Sequence, residues 1–149
     1  MRRTAILTFV AFAAACSKPA PPPPAPVAVA TPVPTPPPAA MGEVTLGSEL
    51  AADKTVAMGK EMFGVKDKVY ASVATSGVGH IKLRAVWSFV KGDKTTQVNE
   101  TTMELDSTGP AVNEFHIENT KAWPKGDYKV EIFFNDAEAP AVTKTFKVQ

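Results

Sequence analysis

The sequence predicts an all-β protein, with a single antiparallel β-sandwich of seven or eight strands after a cleaved signal peptide and a disordered proline-rich linker. Three observations predict it. Strand-forming and polar residues alternate through most of residues 43–149, turn residues separate these runs, and no stretch longer than two turns keeps a helical period. Eleven of the 14 prolines lie instead between residues 19 and 38. We therefore divide the chain into a signal peptide (1–15), a cysteine with a proline-rich linker (16–42) and one domain (43–149).

The first fifteen residues have the order of a secretory signal peptide. Met1, Arg2 and Arg3 form a cationic start, and residues 5–15 read AILTFVAFAAA, which is apolar or small throughout except for Thr8. A membrane-spanning helix needs about 20 predominantly apolar residues, and this run is shorter. We therefore expect residues 1–15 to be removed during export.

The only cysteine, Cys16, ends the sequence AAAC at residues 13–16. This stretch resembles the lipobox of bacterial lipoproteins, although many members of that family carry leucine where this chain has Ala13. The resemblance implies that Cys16 is lipidated and holds the protein on a membrane, since each buried methylene of an acyl chain contributes about 0.8 kcal/mol. Ser17, in a place where the family uses aspartate as a sorting signal, implies the outer membrane of the bacterial envelope. The alternative is an ordinary signal peptide in which Cys16 is incidental.

The linker and the charge balance narrow the range of partners. Proline fixes its own backbone torsion, so residues 19–38 favour an extended polyproline II path. At about 3.1 Å per residue, residues 18–41 span up to roughly 75 Å, which suits a spacer. A second interpretation makes residues 32–38 (PVPTPPP) a ligand for an aromatic groove. Removal of Arg2 and Arg3 leaves 14 basic residues against 15 acidic ones, which argues against nucleic-acid binding.

Eight strands are predicted in the domain. The clearest period is in residues 81–90 (IKLRAVWSFV), where Ile81, Leu83 and Trp87 share one face, and residues 128–134 repeat the pattern. Such strands bury one face only, as antiparallel sheets do. The predicted strands cover residues 43–46, 55–58, 68–75, 81–90, 96–105, 111–119, 128–134 and 141–148. The polar strand 96–105 suits a sheet edge that is guarded by Glu100 and Glu104.

Two motifs resemble the immunoglobulin and fibronectin type III folds. Trp87 lies in the middle of a long strand, as the core tryptophan of that superfold does, and the segment from Trp123 through Gly126 to Tyr128 (WPKGDY) is similar to its tyrosine corner. The resemblance implies that the Tyr128 hydroxyl binds a backbone group a few residues upstream. The chain has no cysteine pair, so the inter-sheet disulfide of antibody domains is absent.

Catalytic and metal-binding patterns are weak. His80 falls in a predicted turn, and His116 is predicted to point to solvent because Phe115 and Ile117 point inward. The S-x-x-K match at residues 88–91 ends a strand, where the acyl-enzyme motif does not belong. A copper site built from methionines and histidines is one further alternative, with the candidate ligands Met58, Met62, Met103, His80 and His116. We predict no metal site, no cofactor and no enzymatic activity.

An outward-facing apolar cluster is the candidate partner surface. If strands 81–90 and 128–134 are neighbours, Val86, Val90 and Phe133 lie together on their outer face within a ring of charged residues. Exposed apolar clusters with charged edges often mark partner sites. The alternative is that Phe133 is covered.

The sequence thus favours a lipid-anchored envelope protein whose sandwich is a non-catalytic binding or structural module, with the membrane and an envelope protein as partners. The second hypothesis is a module that binds carbohydrate or another small ligand and uses Trp123 or Tyr70 as a stacking platform. Both aromatic residues also have structural interpretations. An enzyme is the third and weakest hypothesis.

Overall fold

A computed structural model describes residues 34–149. The predicted signal peptide, Cys16 and most of the predicted proline-rich linker lie outside the described residues. The described part of the chain contains no helix, and therefore none that is long and apolar enough to cross a membrane. It contains eight strands, which are β1 (Ala40–Gly47), β2 (Met62–Phe63), β3 (Val69–Ser76), β4 (Val78–Lys91), β5 (Lys94–Thr108), β6 (Ala111–Ile117), β7 (Gly126–Phe134) and β8 (Val142–Val148).

The strands form two sheets with the order β1-β3-β6 and β2-β8-β7-β4-β5. If β1, β3 and β6 are taken as strands A, B and E, and β4, β7 and β8 as C, F and G, the pairing is that of an immunoglobulin-like sandwich. The predicted all-β sandwich is therefore confirmed. All strand pairs are antiparallel except the short pair between β2 and β8, which is parallel.

One predicted strand is wrong. Residues 55–58 form no strand, and Val56 makes only an isolated bridge to Leu50. The reason is a turn just before them, in which Lys54 has a φ of 66° and the Asp53 carboxylate accepts a hydrogen bond from the Thr55 backbone N–H at 3.0 Å. The second strand, Met62–Phe63, follows this segment and borders β8.

The core lies between the two sheets and is centred on Trp87, whose side chain is fully buried. Phe146 packs nearly perpendicular to it, with ring centres 6.0 Å apart, and Phe63 packs against Phe146 in the same way at 5.4 Å. The Trp87 indole N–H has no hydrogen-bond acceptor among the described residues, so this side chain stabilises the fold through packing. The alternation of residues 81–87 thus directs their apolar side chains inward, as the sequence predicts.

The last residues before β1 are attached to one end of the sandwich. Val78 donates its backbone N–H to the Pro37 carbonyl at 3.0 Å, and Ala39 donates to the Val78 carbonyl at 3.2 Å. Gly77 permits this contact, because it has a φ of 80° and a Cβ there would lie 2.1 Å from the Pro38 carbonyl oxygen. The contacts of the domain therefore include residues before Ala40, upstream of the expected start at residue 43.

The fifth strand leaves one long side of the sandwich open. In many immunoglobulin domains an additional strand pairs with strand E. Here β5 pairs with β4 instead, so that β5 and β6 are edge strands of different sheets. The side chains of β5 are exposed over residues 94–102.

Candidate functional site

The tyrosine corner anchors the most distinctive surface of the domain. The Tyr128 hydroxyl donates a 2.8 Å hydrogen bond to the Pro124 carbonyl, which is the bond that this motif requires. Only 1% of Tyr128 is exposed, and burial raises the pKa of its phenol because the ionised form loses hydration. Gly126 has a φ of 148°, and a Cβ at this position would lie 2.8 Å from the Phe89 ring. Glycine here therefore allows Phe89 to pack against the corner.

Trp123 is held from behind by the segment that connects β2 and β3. Its backbone N–H donates to the Val65 carbonyl at 2.7 Å, and its indole Nε1–H donates to the Asp67 carbonyl at 3.0 Å. The segment is itself fastened by the Asp67 carboxylate, which accepts hydrogen bonds from the Gly64 backbone N–H at 2.9 Å and from Lys60 at 3.1 Å. Both hydrogen bonds lower the pKa of Asp67, and the bond from Gly64 has the larger effect. The indole is thus fixed by contacts that sequence patterns did not indicate.

These aromatic side chains form the floor of a cleft that we call the aromatic cleft. The Phe89 and Tyr128 rings lie 4.9 Å apart, and Trp123 meets Tyr128 edge-on at 6.1 Å. The cleft has a volume of about 420 Å³ and lies on the open long side of the sandwich. It is lined by Phe89, Thr96, Val98, Asn99, Glu118, Asn119, Trp123, Pro124 and Tyr128.

A β-bulge shapes one wall of the aromatic cleft. Trp87 is paired with Asn99 and Ser88 with Gln97, so that Val98 is the extra residue on β5. Bulges redirect side chains at sheet edges. Val98 is 42% exposed and contributes to the cleft wall. The sequence predicts residues 96–105 only as a polar edge strand and gives no sign of this wall, because a bulge shifts the alternation without leaving a distinct residue pattern.

The rim of the aromatic cleft carries hydrogen-bonding groups and little unpaired charge. Its one carboxylate, Glu118, pairs with Lys68 at 2.6 Å, and that hydrogen bond lowers the pKa of Glu118. Asn119 accepts a 3.2 Å hydrogen bond from the Lys121 backbone N–H, while Asn99 and Thr96 are exposed on the opposite wall. An apolar floor with a few polar groups around it is the usual composition of a small-molecule site.

The predicted partner cluster is covered. Val86 and Phe133 lie on the outer face of the sheet as expected, but each is only 9% exposed. The Arg84 guanidinium lies 3.9 Å from the centre of the Phe133 ring, and Glu131 lies opposite Val86 in the strand register. The expected exposure of these two side chains is therefore wrong, because long charged side chains pack over them. Val90, at the end of the row, is half-buried.

The remaining candidate residues are dispersed. His80 lies in β4 rather than in a turn and contacts Asp106 at 3.0 Å, whereas His116 lies on the other sheet and contacts Glu114 at 3.2 Å. Ser88 is buried in the middle of the five-stranded sheet. In residues 34–149 no three His, Cys, Asp or Glu side chains are grouped to hold a metal.

The candidate thioether ligands and the second stacking candidate are also separated. Met58 and Met62 are exposed near β2, and Met103 is half-buried in β5. Tyr70 lies on β3, where it is half-buried beside the His116 ring at 5.6 Å. Of the two proposed stacking residues, only Trp123 lies in a cleft with other aromatic rings.

A larger groove of about 860 Å³ lies on the opposite long side, between β1 and β8. Its lining contains no aromatic ring and includes the charged residues Glu43, Lys60, Glu61 and Lys144. Lys144 shares the inward-facing side of β8 with the buried Phe146, and inward charges at a sheet edge discourage strand addition. The aromatic cleft is smaller, but its composition suits a ligand better.

Comparison with solved structures finds a similar sandwich within much larger proteins. One is the β-glucosidase EmGH1 from Erythrobacter marinus, with a TM-score of 0.52 and 8% identity over 74% of this chain and 15% of that one. Another is a β-glucosidase involved in saponin metabolism from intestinal bacteria, with a TM-score of 0.50 and 18% identity over 74% of this chain and 16% of that one. At these identities the likeness shows the fold alone. No family model and no curated protein matches the sequence.

Proposed function

We propose that the chain is a lipid-anchored protein of the bacterial envelope whose β-sandwich is a non-catalytic binding module. The observation that carries the proposal is the order of its parts. A signal-like segment ends in AAAC at residues 13–16, the proline-rich segment follows, and the first strand begins at Ala40. A lipid attached to Cys16 would then tether the sandwich through an extended spacer.

The anchor is argued from the chemistry of Cys16. Its thiol is the side chain of this chain best suited to alkylation near neutral pH. A single acyl chain binds a membrane only marginally, whereas additional chains make release negligible. In an exported protein, modification also protects a lone thiol from oxidation. The Ser17 that follows supports a location in the outer membrane.

The binding role is argued from the surface of the sandwich. The aromatic cleft combines partly exposed rings with amide and hydroxyl groups on a fixed framework. The titratable side chains that a catalytic site would need are, by contrast, paired in separate places, with His80 beside Asp106 and His116 beside Glu114. A module that binds without turnover is consistent with this distribution.

Mass spectrometry of the protein purified from the membranes of its producing cells tests the anchor. We expect the mature N-terminus to be Cys16 with a diacylglyceryl group on sulfur, and the Cys16→Ser variant to lose both the lipid and membrane retention. Cys16→Ala serves as a second variant that also lacks the nucleophile. An unmodified thiol in a freely soluble protein, or an N-terminus downstream of Cys16, would overturn the proposal.

A further inference from the structure

The floor of the aromatic cleft presents ring surfaces rather than polar atoms. The Tyr128 hydroxyl is bonded to Pro124 and the Trp123 indole N–H to Asp67, both within the domain. Phe89 has no polar atom. The floor is consequently apolar and is held in one arrangement by hydrogen bonds at its back.

The rim supplies neutral hydrogen-bonding groups on two sides of this floor. Thr96 and Asn99 are exposed on β5, and Asn119 is exposed just after β6. A side-chain amide both donates and accepts, and a hydroxyl does the same. Glu118 is already paired with Lys68, so the cleft offers little net charge to an ionic ligand.

We propose that the aromatic cleft binds a neutral saccharide. A pyranose ring has a face of C–H groups that packs on an aromatic surface, while its hydroxyl groups lie around the ring and need donors and acceptors on the flanks. The cleft has this arrangement, with Trp123 and Phe89 for the C–H face and Asn99, Asn119 and Thr96 for the hydroxyl groups. Its volume of about 420 Å³ is within the range of small-molecule sites. This inference rests on the proposed binding function and names its ligand class.

An NMR titration of the mature, lipidated chain tests the site directly. The protein is held in a zwitterionic detergent, because detergents with sugar headgroups would compete. Cellotetraose, laminaritetraose, maltotetraose and chitotetraose are added separately while the two tryptophan indole N–H signals are recorded. We expect at least one oligosaccharide to shift the Trp123 signal in a saturable manner. The signal of the fully buried Trp87 should stay in place, which provides an internal control.

Two variants locate the binding. Asn99→Ala removes a rim amide at an exposed position, and we expect affinity to fall about tenfold, as the loss of one ligand hydrogen bond gives. Gln97→Ala is the matched control, because Gln97 is an exposed β5 residue that does not line the cleft. It should keep affinity within about twofold. Both variants avoid Trp123, whose removal endangers the fold.

Several results would overturn the inference. One is the absence of a Trp123 shift with each of the four oligosaccharides at about 10 mM, which would mean that any binding has a dissociation constant above about 10 mM. Another is binding that Asn99→Ala and Gln97→Ala affect equally. A third is a Trp123 shift caused only by a synthetic peptide of residues 26–38, which would make the cleft a proline-peptide site. If Cys16 is lipidated but no saccharide binds, this inference alone is refuted. If saccharide binds but Cys16 is unmodified, the anchor alone is refuted.

Discussion

Two apolar patches on this domain differ in exposure, and each differs from what the sequence predicts for it. Val86 and Phe133 lie on the solvent side of strongly alternating strands and are expected to be exposed, yet they are 9% exposed beneath charged side chains. Trp123 belongs to a structural motif and Phe89 shares the inward face of β4 with Trp87, yet both are only half-buried and line an open cleft. Alternation therefore assigns a residue to a face of the sheet, but the neighbouring side chains decide whether water or a partner reaches it.

The difference arises from the surroundings of each patch. Phe133 lies on an inner strand of the five-stranded sheet, where Arg84 on the adjacent strand extends over its ring. The aromatic cleft lies between β5 and β6, which are edge strands of different sheets and do not pair with each other. No neighbouring strand therefore covers the cleft. An aromatic side chain is thus covered in the middle of one sheet, whereas Phe89 and Trp123 remain partly exposed at the gap between the two sheets.

The largest expected effect distinguishes the two patches by stability. Phe133→Ala should lower the free energy of unfolding by about 2–3 kcal/mol, because it removes a nearly buried ring and its contact with Arg84. Val98→Ala, at the exposed wall of the aromatic cleft, should change it by no more than about 0.5 kcal/mol. Urea denaturation followed by tryptophan emission measures both. Equal losses in the two variants would show that the cleft wall is as covered as the outer face.

The sequence predicts the face of the sheet on which these side chains lie, but it does not predict which of them are exposed. The inward direction of Trp87 and the hydroxyl bond of Tyr128 follow from alternation and from a local motif of six residues. The cleft depends on contacts that are distant in sequence, such as the bond from Trp123 to Asp67, 56 residues apart. It also depends on the bulge at Val98. Neither leaves a local pattern, and the position of Arg84 over Phe133 is likewise a matter of side-chain packing.

A smaller effect is expected when the cleft floor loses its hydroxyl bond. Tyr128→Phe keeps the ring but removes the donor to Pro124, and we expect a loss of about 1 kcal/mol at neutral pH. Tyr70→Phe, on the other sheet, should cost less than about 0.5 kcal/mol. Thermal or urea unfolding of the three proteins measures this difference.

The same variant has a pH signature. Burial raises the pKa of Tyr128, so above about pH 10 the unfolded chain ionises this phenol before the folded protein does. The stability of the wild type should consequently fall as the pH rises above 10, and less steeply in Tyr128→Phe. An equal slope in both proteins would show that the Tyr128 phenol is hydrated in the folded state and that the cleft floor is looser than its geometry indicates.

The smallest effect concerns the support behind Trp123. The pKa of Asp67 is lowered by the Gly64 N–H and by Lys60, so its contribution to stability is present above its ordinary pKa near 4 and is lost as the pH falls through the lower folded value. Below about pH 4 the Trp123 indole signal should therefore move toward its unfolded position before global unfolding, while the Trp87 signal should not move. Asp67→Asn should show no such step, because its amide does not titrate.

Two results would contradict this prediction. A step of the same size in both proteins would assign the pH dependence to another carboxylate. Its absence from the wild type would mean that Trp123 holds its position without the Asp67 fastening. The covered patch has no comparable dependence on one loop, since Phe133 and Arg84 are both held on paired strands.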